Sequence, residues 1–498
     1  MLLAGTAIAL AMPGMAAADE LADLRAQLEA LTSKVEEIEA TRAEETRRLA
    51  EIEAARAAEA SRVAQLEAAQ ASGQARVSRV EAQIASAPSA VAGPAPTGFR
   101  NPRAIASKVR EIPSDEFQPG AGTAFAVGNT EVEIGGFAKL DFIFDTEEST
   151  GDLFFPPSIS VVDDEDDQAF RALANESRLF FIADTPTSIG DIRVHLEADF
   201  FASTISSTEV VTNSFPFRLR HAYGRLDTGK HEFLAGQFWS ALVPIETYPS
   251  TVDFGGPVGN SFLRQAQIRY TYKPNDTLKF VVSAENSETT LRDDALELGG
   301  AVGSASSPFG ASVGVDAGLD QIPDFVLTAT RTTDRSLVKG GLLLRELNAP
   351  DSDSSEFGYG LQVSGKYDFT DRFTFSGQAI YGEGIGRYIF TGINQGAFLT
   401  GGLSGGSIDA IETVSGFARF GYDLTDAWTL FATYGRYELL ETFTDFDTDH
   451  FQSLHLTAFY QPIQDIQIGA EAILAERELV NGDNDDFLRF QTSVKWTF

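Results

Sequence analysis

The chain has no cysteine among its 498 residues. A disulfide scaffold, a thiolate metal site and thiol redox chemistry are therefore excluded. Histidine is scarce: five residues, scattered, none in H-E-x-x-H or similar spacing, so no metal centre built on histidine is expected. After residue 18 no segment approaches the run of about 20 apolar residues that a spanning helix needs. Basic residues are few beside acidic ones, 38 against 72, for a net charge of −34. Binding phosphates takes a net basic surface, so nucleic acid is not an expected partner. The acid is unevenly placed: residues 1–120 carry 13 basic and 17 acidic side chains, the rest of the chain 25 and 55. Also missing are a G-x-S-x-G elbow, a Walker loop and a recognisable carboxylate pair. Gly382, Gly384 and Gly386 in GEGIG lack dinucleotide spacing. Neither a catalytic residue nor an enzymatic activity is expected, and no cofactor.

What is present is alternation. Phenylalanine is abundant, 38 residues against 12 Tyr and 3 Trp. In the last ten residues Phe490, Thr492, Val494, Trp496 and Phe498 share one face, and Arg489, Gln491, Ser493, Lys495 and Thr497 the other. A final strand with one aromatic face suits an outer-membrane β-barrel, whose closing strand has lipid on one side and lumen on the other. From Glu131 onward period two dominates and predicts sixteen strands: 131–145, 177–184, 190–202, 216–227, 231–238, 262–273, 277–287, 323–333, 335–346, 356–369, 372–384, 409–424, 426–439, 449–460, 464–478 and 486–498. Connections after even-numbered strands are short and those after odd-numbered strands mostly long, the pattern of a bacterial barrel with periplasmic turns and external loops. An even count returns both ends of the barrel to the short-turn side. Sixteen strands leave room for an aqueous channel, with stability drawn from ladder closure and the lipid face rather than a packed core.

Upstream the chain has a different character. Residues 1–18 are apolar and end in Ala16-Ala17-Ala18, which reads as a secretory signal peptide. Within 19–84, residues 21–84 carry an unbroken heptad repeat, with Leu21, Leu28 and Val35 opening the a positions and Leu24, Leu31 and Ile38 the d positions. That narrow stripe predicts a coiled coil, roughly 95 Å long at about 1.5 Å per residue, on the periplasmic side. Arg42/Glu45 and Arg56/Glu59 interrupt its seam with opposite charges, a device that sets register and oligomer number. Residues 85–130 are rich in Pro, Ala and Gly and read as a linker, leaving 131–498 as the barrel.

Alternation also assigns the lumen. With Leu179, Ile192, Val194, Leu196, Phe217, Leu219, Ile268 and Phe420 facing out, Arg178, Arg193, His195, Glu197, Asp199, Arg218, Arg220, Arg269 and Arg419 face in, and Lys139, Lys279 and Lys366 follow by the same rule. Arginines gathered on one inner face repel each other, so their expected work is attracting anions; the plainer alternative is that they pair with Glu197, Asp199 and other inward acids. Of these, Arg178, Arg193, Arg218, Arg220, Arg269 and Lys139 are the candidate anion-selective residues. The connection 239–261, WSALVPIETYPSTVDFGGPVGNS, is rigid and poor in charge, which suits folding into the lumen; Trp239, Glu246, Tyr248, Asp253 and Phe254 are its candidate constriction residues. The acidic run Asp163-Asp164-Glu165-Asp166-Asp167 could hold Ca²⁺ or Mg²⁺ against lipopolysaccharide phosphates, although such runs are more often merely solvated.

The segments GGFAKLDFIFD (135–145), SRLFFIADTPTSIGDIRVHLEADFF (177–201), FRLRHAYGRLD (217–227) and LAGQFWSALVPIETYPSTVDFGGPVGNSFLRQAQIRYTY (234–272) resemble the DcaP-type porins of Gram-negative bacteria. The resemblance implies a homotrimer of sixteen-stranded outer-membrane barrels behind a periplasmic coiled coil, passing small anions such as dicarboxylates and aromatic acids. It supports Arg193, Arg218, Arg220 and Arg269 as pore residues, and Trp496 and Phe498 as the signal read by the barrel-assembly machinery. The function expected is therefore passive diffusion of small anionic solutes, in contact with outer-membrane lipid and lipopolysaccharide. The alternative is an envelope tether, the coiled coil spanning periplasm and the barrel serving as anchor.

Overall fold

The computed structural model describes residues 122–146, 149–161, 168–201, 215–293, 320–348, 354–392, 395–400, 407–442 and 447–498. The expected signal peptide, coiled coil and most of the linker lie outside the described residues, as does the acidic run 163–167.

The strands are β1 (Thr123–Val127), β2 (Thr130–Asp145), β3 (Ala169–Leu173), β4 (Arg178–Thr187), β5 (Gly190–Asp199), β6 (Arg218–Asp227), β7 (His231–Trp239), β8 (Arg264–Asn275), β9 (Leu278–Glu285), β10 (Leu291–Asp293), β11 (Asp324–Thr332), β12 (Ser336–Asn348), β13 (Ser355–Asp368), β14 (Phe373–Glu383), β15 (Ala397–Thr400), β16 (Ser407–Ala410), β17 (Glu412–Asp423), β18 (Trp428–Leu439), β19 (Thr448–Ile463), β20 (Ile466–Leu479) and β21 (Asn484–Thr497). Sixteen of them, β2, β4–β9, β11–β14 and β17–β21, pair in succession and antiparallel. The ring closes where β2 meets β21, from Phe137↔Thr497 to Asp145↔Arg489. Closure removes the sheet edges that lipid cannot satisfy. All sixteen strands expected from the alternation are present.

Three small departures surround the ring. Residues 123–127, assigned to the linker by composition, form β1, which pairs with the start of β2 from Thr123↔Ile134 to Val127↔Thr130. Strand β3 takes over from β4 beside the far end of β2, from Asp141↔Leu173 to Asp145↔Ala169. Within the long connections, β10, β15 and β16 make a separate three-stranded sheet.

The outer face is apolar, with Phe142, Leu196, Phe233, Ile268, Phe280, Leu361, Leu456, Leu474 and Phe490 exposed. Near the short turns it becomes aromatic: Phe369 stacks on Phe373, Phe373 on Phe420 and Trp428 on Tyr460. Trp496 and Phe498 are exposed at the same rim, where the Phe498 N–H donates to Gly136 O and Phe498 O accepts from the Gly136 N–H. Aromatic girdles of this kind mark the membrane–water boundary of transmembrane barrels.

The interior departs from the expectation of a lumen without a packed core. Among the described residues, 149–161, 240–263 and 384–392 enter it. Phe154, Leu242, Val258, Ile385, Tyr388 and Ile389 are buried against inward side chains such as Val326, Leu343, Ile380, Ile473 and Phe487. The physical reason is parity. The strand ends nearest the long loops turn apolar residues inward as well as outward, and that inner apolar ring needs covering.

Candidate functional site

The inner faces of β4, β5 and β6 bring Arg178, Glu197, Asp199, Arg218 and Arg220 together. Arg218 grips Asp199 with two bonds, Nε to Oδ1 at 2.9 Å and Nη2 to Oδ2 at 2.6 Å. Arg220 donates from Nε to Glu197 Oε1 at 2.6 Å and from Nη1 to Asp199 Oδ2 at 3.1 Å. Arg178 Nη1 lies 3.6 Å from Glu197 Oε1. These bidentate and shared contacts are the strong form of ion pair. The alternation rule reaches Arg220 and then breaks. The β5–β6 register shifts between Glu197 and Ala198, so Arg220 is the extra residue of a β-bulge and both it and His221 turn inward.

Aromatic rings seal this cluster. Phe254, from the inserted connection, stacks on Phe201 at 4.6 Å. The Arg218 guanidinium lies over both rings, at 5.4 and 5.3 Å, and Arg220 lies 6.0 Å from Phe254. Side-chain exposure is 2% for Arg178 and 1% for Arg220, but 14% for Arg218, so Arg218 is the member of the trio that meets the lumen.

A fourth arginine joins them. Arg264 lies over Trp239 at 4.8 Å and Phe262 at 5.2 Å, and its buried Nη1 has no acceptor among the described residues. Its charged neighbours are Arg220, Arg218, Asp199 and Arg178. Period two counted back from Arg269 puts Arg264, five residues earlier, on the outer face. It is the first residue of β8, where the strand has not yet settled into its pleat.

Nearer the short turns a second row appears. Cross-strand register links Arg193 to Arg225, Arg225 to Leu234 and Leu234 to Arg269, so the three arginines share one cross-strand row. Arg193 is roughly 13 Å below Glu197 at about 3.3 Å per residue. It is held by Asp184 through bonds of 2.8 and 2.7 Å. Arg225 lies 4.0 Å from Glu232. Arg269 donates to Gln267 Oε1 at 2.8 Å and to Trp239 O.

The connection expected to narrow the lumen crosses it, anchored to the wall on many sides. Its backbone carbonyls accept from inward cations: Val243 O from Lys339 Nζ at 2.8 Å, Tyr248 O from Arg419 Nη1 at 3.2 Å and Val252 O from Lys139 Nζ at 2.8 Å. Lys139 is also paired with Asp141 at 3.1 Å and Glu176 at 2.8 Å. The Val252 and Asp253 N–H groups donate to Glu471 on β20. Asp253 itself meets Arg489 of β21 at 3.2 Å. Glu246 pairs with Lys279 of β9 at 2.6 Å; burial would raise its carboxyl, but Lys339 and then Lys279 outweigh that and bring it down to about 2. Trp239 and Tyr248 are buried against Phe262. Farther along, Val258 N–H donates to Ser453 Oγ at 3.0 Å. Gly259 there has φ +78° and no room for a Cβ beside the backbone of Gly416 and Arg436.

All six candidate cations thus face inward, in three places rather than one: Arg178, Arg218 and Arg220 together, Arg193 and Arg269 in the lower row, Lys139 under the inserted connection. Arg225, Arg264 and Lys339 were not singled out from sequence. Lys339 carries the same alternation signal as the others; Arg225 lies past the bulge, where period two counted from Arg218 and Arg220 would put it on the outer face. Arg419 donates to Ser376 Oγ at 2.9 Å and has no carboxylate partner among the described residues.

Sixteen antiparallel strands closed on themselves, apolar outside, ionised inside, with short turns at one rim and long connections folded in from the other, define a porin-like channel of the outer membrane. Known proteins of similar sequence and fold point to the same class. Residues 117–302 are matched by the model of the DcaP outer membrane protein family, which takes in the whole of the resemblance at 135–272. The fold is similar to that of the outer membrane channel DcaP of Acinetobacter baumannii, with a TM-score of 0.62 and 21% identity over 76% of this chain and 100% of that one. It is also similar to Salmonella typhi OmpF solved in complex with daunomycin, with a TM-score of 0.50 and 10% identity over 76% of this chain and 100% of that one. No curated protein matches the sequence. The family and these neighbours are membrane channels and porins rather than enzymes.

Proposed function

We propose that the protein is a porin through which small anionic solutes, of the dicarboxylate or aromatic-acid type, cross the outer membrane by passive diffusion. The observation that carries this reading is a pair of guanidiniums where residues 240–263 narrow the lumen: Arg264 and Arg419 face inward with no carboxylate in ion-pair contact among the described residues. A fixed positive charge in a water-filled constriction lowers the barrier for anions and raises it for cations. Arg218 and the row of Arg193, Arg225 and Arg269 would extend that field along the wall, with Glu197, Asp199 and Asp184 orienting the side chains. In keeping with the family resemblance, the barrels form a homotrimer with the coiled coil in the periplasm, the outer face contacts lipid and lipopolysaccharide, and Trp496 and Phe498 serve the barrel-assembly machinery.

Swelling of proteoliposomes tests the solute class. A small dicarboxylate should enter faster than a neutral sugar of equal size, and a diamine more slowly than either. Equal rates for all three would leave a channel without charge selection.

A further inference from the structure

On the outer face of β19 and β20, next to the long-loop rim, ionisable side chains replace the apolar ones. Register pairs Leu454 with Leu474, then Gln452 with Glu476, then His450 with Glu478. Leu474 is exposed, so by period two the two polar pairs continue the same outward face. One donor atom from each of His450, Glu476 and Glu478 lies within 4.8 Å of the others.

The histidine is prepared for a ligand. His450 is only 6% exposed. Its Nδ1 is 2.9 Å from Asp449 Oδ2. An ionised carboxylate can only accept, so Nδ1 must be the donor, and in the neutral ring Nε2 keeps its lone pair. That Nε2 makes no hydrogen bond among the described residues; its nearest anion is Glu478 Oε2 at 3.8 Å, too far for one. A carboxylate holding the remote nitrogen of a ligating histidine is the usual support of a metal site. Glu476 is fixed in turn, accepting from Gln452 Nε2, while Gln452 Oε1 accepts from Tyr434 Oη at 2.7 Å. Glu438, opposite His450 on β18, is occupied by Arg436 at 3.0 Å.

We propose that His450, Glu476 and Glu478 bind a divalent cation of the zinc class, with Asp449 positioning the imidazole. Imidazole with two carboxylates suits Zn²⁺ and its neighbours over Mg²⁺ or Ca²⁺, which take oxygen donors. Donors about 2.1 Å from one tetrahedral ion stand roughly 3.4 Å apart, so the carboxylates need to close by about an ångström, within the reach of a glutamate side-chain rotation. The bound ion would tie β19 to β20 where β19 is irregular, the register shifting between Thr448 and His450.

The test is a titration of the folded full-length protein, in detergent and without an affinity tag, with Zn²⁺ and with Co²⁺. One Zn²⁺ per chain is expected, weakened at least tenfold in His450→Ala and Glu478→Gln and by roughly tenfold in Asp449→Ala. The Co²⁺ complex should show visible bands that the His450→Ala variant lacks, and a tenfold excess of Mg²⁺ should not displace Zn²⁺. Heat-modified gel mobility reports whether each variant remains a folded barrel. Unchanged zinc binding in folded His450→Ala, or displacement by Mg²⁺ at equal concentration, would overturn the proposal and leave a solvated acidic patch.

Discussion

Arg264 separates a charge that is spent from one that is available. Arg193 is neutralised by the two oxygens of Asp184, whereas Arg264 lies over Trp239 and Phe262 with no carboxylate in ion-pair contact among the described residues. Arg264→Ala should therefore lower anion-over-cation permeability clearly more than Arg193→Ala, as read from reversal potentials of the two variants. Glu246 makes a second prediction. Its carboxyl is depressed in the folded protein to about 2, below the ordinary value of about 4.3. A depressed carboxyl contributes stability that is fully present above its unfolded value and is lost as pH falls through the folded one. Acidification from about pH 4.3 toward 2 should loosen this end of the inserted connection, and Glu246→Gln should abolish that part of the pH response in single-channel noise. Inward placement of Arg178, Arg193, Arg218, Arg220 and Arg269 was legible because period two holds in mid-strand. His221 and Arg264 were not, the one following a bulge and the other opening a strand, where parity fails. Pairing was not legible either, since Asp199 and Arg218 meet only through β5–β6 register.

At the scale of elements, the inserted connection 240–263 is held by carbonyls on cations at one end and by Glu471 at its tip. Glu471 accepts from two successive N–H groups and is backed by His455. Removing it in Glu471→Ala leaves two buried donors unsatisfied, each costing about 1–3 kcal/mol. The expected outcome is a tip that detaches locally, seen as faster amide exchange at Val252 and Asp253. A stronger perturbation is available on β18. Gly435 sits under the loop, where a Cβ would collide with the Val258 carbonyl. Gly435→Val should push the connection out of the lumen and raise single-channel conductance; an unchanged conductance would mean that this segment does not limit flow. The rigid, charge-poor composition of 239–261 pointed to this element from sequence. The inward folding of 149–161 and 384–392 did not announce itself, because Leu153, Phe154 and Tyr388 find their partners only across the barrel.

For the whole molecule, the tension is between an acidic chain and a basic constriction. Residues 121–498 carry 25 basic and 55 acidic side chains. The long-loop rim holds part of that acid, as at Asp483, Asp485 and Asp486 where β21 begins, and there it opposes anion entry from a distance. Exposed charges are screened within about 10 Å at 0.1 M salt and about 3 Å at 1 M, buried ones far less. The anion preference of the constriction should therefore grow as salt rises over that range. The measurement that tests the account most directly is the reversal potential of the purified protein in a planar bilayer under a salt gradient. The account predicts open channels with anion preference, weakened in Arg264→Ala. Cation preference in open channels would contradict the arginine constriction and hand selectivity to the acidic mouth, and absence of conductance would contradict the channel itself.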